Sequence, residues 1–461
     1  MTTHLWSGRF DGAPDAAAFE WGSSFSFDRR LFEDDVTGSA AWTRALARAG
    51  VLPADEARSL EEALAAILAR GRSEPSFVDG PDEDIHSFVE RLLVERLGDA
   101  GRRLHTGRSR NEQVSLDLRL YLRRRIPLLQ RAVERVIAAL ARQASAAGDA
   151  LMPAFTHSRP AQPVLVAHFL LAHIAPLRRD HQRLAAARLE ADALTLGSGA
   201  IAGTSYPIDV SALARDLGFS RVVANSIDAS SDRDFAATFL YACALTMVHL
   251  SRLAEDFIIL SGDEHRFFEI SDALSTGSSM MPQKKNPDPL ELVRGKAGRA
   301  IGHLMALLTT LKGLPGGYNK DLQEDKHAVF DAEDTLAGCL AVVEQVVDGL
   351  TLNRDRAAAA ASGLLLATDV ADYLVGQGMP FRRAHEVVGA LVRKLVAECR
   401  EFGSLRLDEW RAASELFGAD IVGRVTPRES VAAKRTPQST SPAAVGDALA
   451  EVGRWLGQVA G

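Results

Sequence analysis

Apolar residues recur at three- and four-residue intervals through the middle of the chain, which is the spacing of one face of an α-helix. The same spacing appears in five long segments, and polar stretches rich in glycine and proline separate them. These segments are 113–143, 163–194, 232–262, 289–314 and 325–350. The pattern predicts five long amphipathic helices, and a helix bundle is the usual way to bury their apolar faces.

The flanking segments have a different pattern. The first hundred residues show shorter helical patterns and an acidic run at 79–92, whereas the last hundred are broken by glycine and proline. Alternating apolar and polar runs are scarce, so a parallel-sheet fold is disfavoured. We expect a mostly α fold with three helical domains: 1–107 at the N-terminus, 108–361 for the long helices, and a small C-terminal domain over 362–461.

Composition narrows the class of protein. The 461 residues are 47% hydrophobic and 25% charged, which is typical of a globular protein. The net charge of −7 argues against non-specific binding to nucleic acid. No run of 18 apolar residues occurs, and the opening MTTHLWSGRF lacks the basic and apolar regions of a secretory signal. We expect a cytoplasmic protein with neither nucleic acid nor membrane as a partner.

The cysteines and short motifs indicate no metal or cofactor. Cys243, Cys339 and Cys399 are widely spaced in apolar, helix-like surroundings, which predicts buried or inert thiols in a reducing compartment rather than a disulfide framework or a zinc site. The chain also lacks GxGxxG after a strand, GxxxxGK[ST], HExxH and CxxC. Nucleotide-phosphate and zinc chemistry therefore have no support in the sequence.

Lysine is rare and clustered. The chain has eight lysines, of which six lie between positions 284 and 326. In the segment STGSSMMPQKKNPD (275–288), the glycine and serines can present several backbone N–H groups together, while Lys284 adds a charge and Asn286 an amide donor. We predict a carboxylate or oxyanion site here; the alternative is a solvated loop.

Three more polar stretches, 104–113, 152–163 and 315–327, interrupt the predicted helices. The first begins the longest helix, where free N–H groups favour anions; the second is predicted as a proline-bounded loop. Each stretch alone could be a solvated surface, but together they supply cationic and amide groups, which predicts a polyanionic substrate. Their candidate binding residues are Arg108, Arg110, Asn111, Thr156, His157, Tyr318, Lys320, Gln323 and Lys326.

Several motifs carry a resemblance to a known family. GSSMMPQKKN at 277–286 fits the GSSxMPxKxN signature of the fumarase/aspartase superfamily, while HTGRSRN at 105–111 and YNKDLQEDK at 318–326 are narrower. With these motifs the chain resembles the argininosuccinate lyase branch of that superfamily. The likeness extends nearly end to end, through WSGRF (6–10), FDRRLFEDDVTGS (27–39), DEDIH (82–86), TLGSGAIAGTSYPID (195–209), NSIDASSDRDF (225–235) and ATDVADYL (367–374).

The resemblance implies a mostly helical, three-domain protomer in a homotetramer, whose core is a large bundle of central helices. It implies active sites assembled from more than one subunit. It also implies the reversible cleavage of argininosuccinate to arginine and fumarate by a carbon–nitrogen lyase.

The resemblance further implies roles for individual residues. Ser278, rather than Ser279, would be the base, and Lys284 and Asn286 would stabilise the aci-carboxylate formed on proton removal. His157 would help to protonate the departing guanidino nitrogen, with Glu291 orienting it. The substrate-binding positions would be Ser24, Arg110, Asn111, Thr156, Tyr318, Gln323 and Lys326.

Some positions depart from the family pattern. The loop THSRPAQP carries Arg159 and Pro160 where the family usually has THLQRAQP. Glu112 stands where aspartate is usual, Trp42 replaces a smaller ring, and Gly316–Gly317 stands where LA often occurs. Two alternatives therefore stay open: a related lyase acting on another N-substituted aspartate, and a non-catalytic, crystallin-like homologue.

Overall fold

The computed structural model describes residues 15–459, and the WSGRF motif at 6–10 lies outside this range. The described chain is mainly helical, which confirms the predicted fold class. The N-terminal helices are α1 (Ala16–Gly22), α2 (Phe25–Asp28), α3 (Phe32–Arg48), α4 (Ala54–Ser73), α5 (Ile85–Leu97) and α6 (Asp99–Arg102).

The five predicted long helices are present, with ends within four residues of the predicted ones. Two short helices lie between the second and third of them. In chain order these are α7 (Arg110–Ala147), α8 (Val166–Ala191), α9 (Val210–Asp216), α10 (Ser226–Ser231), α11 (Asp234–Ser261), α12 (Asp288–Leu311) and α13 (Asp325–Asp348).

The C-terminal part consists of helices shorter than the five long ones, although two of them, Phe381–Ala397 and Pro442–Val459, have 17 and 18 residues. Its own apolar core includes Trp410, whose ring lies 5.0 Å from that of Phe417 and 5.7 Å from that of Phe402. The helices are α14 (Arg354–Ala360), α15 (Ala367–Gly376), α16 (Phe381–Ala397), α17 (Leu407–Ala413), α18 (Ile421–Arg424), α19 (Pro427–Ala432) and α20 (Pro442–Val459).

The strands are short and pair in twos. The pairs are β1 (Leu151–Thr156) with β2 (Arg159–Leu165), β3 (Ala193–Leu194) with β4 (Arg221–Val222), β5 (Phe268–Glu269) with β8 (Thr351–Leu352), and β6 (Thr276–Gly277) with β7 (Lys285–Asn286). Only the β3–β4 pair is parallel among them.

The β1–β2 hairpin corrects the prediction of a proline-bounded loop over 152–163. Pro153 and Pro163 face each other across the two strands. A two-stranded ribbon consists entirely of edge strands, which tolerate proline because half of their N–H groups face away from the partner. The prolines that argued against a strand are therefore compatible with this one.

The chain divides into two compact units. The first comprises Met1–Gln130, Gln182–Ala244 and Arg299–Thr335, and the second comprises Arg131–His181, Leu245–Gly298 and Leu336–Gly461. In the first unit the rings of Tyr121 and Phe330 pack edge to face, 5.0 Å apart. In the second unit the rings of Phe257 and Phe268 pack in the same way, 5.4 Å apart.

No single helix among residues 15–459 has the length and apolarity needed to cross a membrane. One bent pair, Arg354–Ala360 with Gly363–Gly376, meets both criteria when its two helices are taken together.

Candidate active site

A cavity of about 460 Å³ lies in the first unit. Four separate stretches of sequence contribute to it, and they include six of the seven predicted substrate-binding residues. These six are Ser24, Arg110, Asn111, Tyr318, Gln323 and Lys326. The seventh, Thr156, lies in the second unit at the end of β1.

Arg110 is held at the first turn of α7 by acidic neighbours. Its Nη1 donates to Asp84 Oδ2 at 2.7 Å and to Ser87 Oγ at 3.0 Å, and Glu90 lies 3.8 Å from its Nη2. Asp84 also caps α5 by accepting the backbone N–H of Ser87. Although burial opposes its ionisation, the charges of His86 and Arg110 hold the pKa of Asp84 below its ordinary value. The guanidinium position is thus fixed by charge and by hydrogen bonds.

Lys326 is a buried cation on the cavity wall. Its Nζ donates to Asp325 Oδ1 at 2.8 Å, and the other oxygen of Asp325 accepts from Arg233 Nε at 2.5 Å. Both side chains of the Arg233–Asp325 pair are fully buried. Burial would raise the pKa of Asp325, yet Lys326 and Arg233 hold it below its ordinary value. One carboxylate therefore serves two cations, and the charge of Lys326 is only partly compensated.

Ser24 is oriented by a buried carboxyl group. Its Oγ donates to Asp28 Oδ2 at 2.5 Å, while Asp28 Oδ1 accepts the backbone N–H of Ile85 at 3.0 Å. Burial raises the pKa of Asp28 to about 6. Asp28 therefore ties α2 to the start of α5 at the cavity.

The cavity contains more acidic residues than the sequence led us to expect. Asp28, Glu83, Asp84 and Glu90 line it together with the predicted cations and Lys320. Three of these four carboxylates, Glu83, Asp84 and Glu90, come from the acidic run at 79–92. The cavity walls thus combine cationic and acidic groups, which suits a molecule that carries several carboxylates together with cationic groups.

His157 lies in the second unit, at the tip of the β1–β2 hairpin. Thr156 pairs with Arg159, so His157 and Ser158 form the two-residue connection. Both have positive φ, 53° and 57°, as the mirror-image turns of tight hairpins require. Thr156 and His157 are exposed in the single chain.

The signature loop is also in the second unit, between β6 and β7. Ser278 Oγ accepts the backbone N–H groups of Met280 and Met281, at 3.2 and 3.0 Å. Lys285 is occupied by ion pairs with Glu269 and Asp272, at 3.2 and 2.7 Å.

Lys284 is exposed, and it forms no ion pair within the described range. The loop thus presents a serine oxygen held by two amide donors, together with a free ammonium group.

Glu291 lies in the first turn of α12. Its carboxylate is 3.9 Å from Arg294, and within residues 15–459 no hydrogen bond joins it to His157. Asn286, on β7, is half-buried and pairs with Thr276 across the ribbon. The predicted orientation of His157 by Glu291 stays a prediction.

A buried cluster behind the cavity has the ligand types of a metal site. The Nδ1 of His86 lies 2.8 Å from Asp35 and 3.4 Å from Asp117. However, the buried guanidinium of Arg108 already acts on both carboxyl groups, and Gln113 donates to Asp35. Burial and the charge of Asp35 raise the pKa of Asp117 well above its ordinary value. Arg108 and Gln113 thus already supply positive charge and a hydrogen bond to this cluster.

The three thiols differ in burial. Cys243 and Cys339 are buried and Cys399 is exposed, and all three are free. Cys399 follows the end of α16 with a φ of 52°, so the apolar helix around it does not cover it.

Comparison with known proteins gives consistent results along the chain. The Lyase family profile matches residues 8–302, and the profile described as argininosuccinate lyase C-terminal matches residues 364–432.

The argininosuccinate lyase of Moorella thermoacetica is 48% identical over 96% of each chain. That of Roseiflexus sp. strain RS-1 is 49% identical over 98% of this chain and 99% of the relative.

A solved structure shares the fold as well. A variant of EDDS lyase with bound fumarate superimposes with a TM-score of 0.83 at 26% identity, over 98% of this chain and 93% of that one. The sequence matches run through both the helical core and the C-terminal helices. The chain therefore belongs to the argininosuccinate lyase family of the fumarase/aspartase superfamily.

Proposed function

We propose that this protein catalyses the reversible β-elimination of argininosuccinate to L-arginine and fumarate, in arginine biosynthesis. The observation that carries the proposal is the identity of 48–49% to argininosuccinate lyases over at least 96% of both chains. The mixed-charge cavity supports it, because argininosuccinate has carboxylates as well as an ammonium and a guanidinium group.

Ser278 is the proposed base that removes the proton beside a carboxylate. A serine hydroxyl is a weak base, so its alkoxide must be stabilised by its surroundings. The N–H groups of Met280 and Met281 support this role, because both already point at Oγ. The free ammonium of Lys284 adds positive charge in the same loop.

Removal of the carbon-bound proton leaves an aci-carboxylate, on which negative charge accumulates. We propose that Lys284 and Asn286 stabilise this charge, as preorganised donors do in other active sites. His157 is the proposed source of the proton that the departing nitrogen takes, oriented by Glu291. As the carbon–nitrogen bond breaks, the electron pair left by proton removal forms the double bond of fumarate.

The cavity residues are proposed to bind the remainder of the substrate. Arg110 and Lys326 offer fixed positive charges for carboxylates, and Asn111, Gln323, Ser24 and Tyr318 offer hydrogen-bonding groups. The hydroxyl of Tyr318 is a donor at neutral pH, since its ordinary pKa of 10.0 already lies well above 7 and burial raises it to about 12. Thr156 on the hairpin is proposed as a further binding residue.

We also propose a homotetramer with active sites shared between subunits. An apolar stripe on α12 supports assembly, since Ile301, Met305 and Leu308 follow four- and three-residue spacing and are 42%, 56% and 44% exposed. Coiled-coil-like seams use this spacing. The division into domains 1–107, 108–361 and 362–461 remains a proposal, and the match over 364–432 supports its last boundary.

A cytoplasmic location completes the proposal. The three cysteines are free, and one of them is exposed. Unpaired exposed thiols are typical of reducing compartments.

The test is the absorbance of fumarate after argininosuccinate is added to the purified protein. Adenylosuccinate and aspartate serve as alternative substrates, because the changes at Arg159 and Pro160 affect the loop that carries His157. Fumarate from argininosuccinate alone is the expected result. Fumarate from another N-substituted aspartate would indicate the related lyase, and no product from any of them would indicate a non-catalytic homologue.

A further inference from the structure

Glu112 joins two segments of the first unit that are far apart in sequence. Its side chain is fully buried one residue after Asn111, in the first turn of α7. Oε1 accepts the backbone N–H of Ser109 at 3.0 Å, and Oε2 accepts the backbone N–H of Gly199 at 3.0 Å. A single carboxylate therefore binds both the start of α7 and a loop 87 residues away.

The second segment, residues 195–203, is called the glycine loop below. Its first residue, Thr195, donates its hydroxyl to the backbone oxygen of Glu112 at 2.9 Å. Gly199 has a φ of +58°, and a Cβ there would lie 2.5 Å from the backbone oxygen of Gly203. The loop has one tight shape that requires glycine, and it docks on Glu112 through both side-chain and backbone groups.

The same turn of α7 carries two cavity residues. Arg110 and Asn111 lie between Ser109 and Glu112, and Ser109 Oγ accepts the N–H of Asn111 at 3.2 Å. The side chains of Glu112 and Ser109 thus accept the N–H groups of Ser109 and Asn111, two of the free donors at the helix start. Movement of Glu112 would therefore move the backbone that aims Arg110 and Asn111.

We propose that Glu112 is a positioning residue, which clamps the glycine loop to the first turn of α7 and thereby sets the affinity of the cavity for substrate. This inference rests on the proposed function and deepens it. Aspartate in its place would be shorter by one methylene, about 1.5 Å, and could not keep both 3.0 Å hydrogen bonds without backbone movement. Glu112, which stands where the family usually has aspartate, thus has the side-chain length needed to reach from the helix to the loop.

The clamp works best when Glu112 is ionised. Burial raises the pKa of this carboxyl to about 7, although the N–H groups of Ser109, Gly199 and Ser198 and the charge of Arg108 favour the carboxylate. A protonated carboxyl loses acceptor capacity towards these donors. The KM for argininosuccinate is therefore expected to rise as the pH falls below about 7.

Glu112→Gln and Glu112→Asp test the clamp from the helix side, and Gly199→Ala tests it from the loop side. Each should raise KM about tenfold while kcat changes much less, because the Glu112 variants leave a buried donor without its acceptor and the alanine Cβ would displace Gly199 from the backbone oxygen of Gly203. In the parent, KM should vary with pH between pH 6 and 8 as Glu112 titrates. In Glu112→Gln this variation should be absent.

Glu409→Gln is the matched control. Glu409 accepts the N–H of Arg406 at the start of α17 at 3.0 Å, and it contacts no cavity residue. Glu409→Gln should lower the free energy of unfolding without changing KM.

Hydrogen exchange separates this inference from the proposed function. Amides of the glycine loop should exchange faster in Glu112→Gln than in the parent, whether or not argininosuccinate is cleaved. Unchanged exchange, or a KM within twofold of the parent in folded Glu112→Gln, would overturn the clamp. If Glu112→Gln does not fold, an unchanged KM in Gly199→Ala would overturn the clamp. An inactive parent, together with faster loop exchange in Glu112→Gln, would count against the proposed function alone.

Discussion

The backbone N–H of Met281 points at Ser278 Oγ from 3.0 Å. The N–H of Met280 points at the same oxygen from 3.2 Å. Two amide donors on one hydroxyl oxygen form an anion-binding arrangement, and such arrangements favour the deprotonated form of the group they surround. These two donors would lower the cost of the serine alkoxide that the proposed mechanism requires.

His157→Asn should separate catalysis from folding. Asparagine tolerates the positive φ of 53° at this position, so the hairpin should keep its stability. Loss of an acid–base group should lower kcat by about 10² to 10⁴. Steady-state kinetics and thermal unfolding check both parts.

Ser158→Gly is the companion variant at the other turn position, where φ is 57°. It should raise the free energy of unfolding by about 0.5 kcal/mol, because glycine adopts this conformation without strain, and activity should not change. Full activity of His157→Asn would show that the imidazole takes no part in the chemistry.

Lys326→Gln should lower both stability and activity. It leaves the fully buried Asp325 with Arg233 as its remaining cation, and an incompletely compensated buried charge costs about 3 kcal/mol. Lys320→Gln is the control, since that lysine is 54% exposed and its ion pair with Glu83 is 3.4 Å long. Such pairs contribute at most about 1 kcal/mol, so equal losses of unfolding free energy in the two variants would contradict this account of Lys326.

Asp28 should make stability depend on pH. Its pKa in the folded chain is about 6, above the ordinary value of 3.8, so the folded state binds more protons than the unfolded state between these values. Stability from this group therefore falls as the pH rises from about 4 to about 6, by at most about 3 kcal/mol. Asp28→Asn removes the titration.

Urea unfolding of the parent and Asp28→Asn, at pH 4 and pH 7, measures this effect. The variant should gain stability relative to the parent at the higher pH. A difference between the two proteins that stays constant with pH would mean that burial does not raise the pKa of Asp28.

Met305→Glu should disrupt assembly. Met305 is 56% exposed in the single chain, and a charge in an apolar seam between helices would be buried without a partner. Val422→Glu is the control, because Val422 is 55% exposed on α18 in the C-terminal part. Light scattering after size-exclusion chromatography should show a smaller particle for Met305→Glu only, and an unchanged mass would argue against this stripe as a subunit contact.

The sequence predicted the long helices well because their apolar faces are continuous. On α7, Leu118, Leu122, Val133 and Ile137 fall on one face, and all are fully buried. The β1–β2 hairpin was missed because its prolines mask the strand pattern.

Site residues differed in how visible they were in the sequence. Arg110 and Lys326 stood out as cations in polar interruptions of long helices. Asp28 and Glu90 did not, since their roles depend on partners brought close by folding. The Glu112–Gly199 contact spans 87 positions and leaves no periodic trace, so only the substitution at Glu112 marked it.

The most direct test of the proposed chemistry is fumarate production from argininosuccinate by the parent, Ser278→Ala and Ser279→Ala. Ser278→Ala should lower kcat by about 10² to 10⁴ while the helical circular dichroism spectrum and the assembly stay unchanged. Ser279→Ala should stay within a few-fold of the parent. Activity of Ser278→Ala within a few-fold of the parent would contradict the assignment of Ser278 as the base.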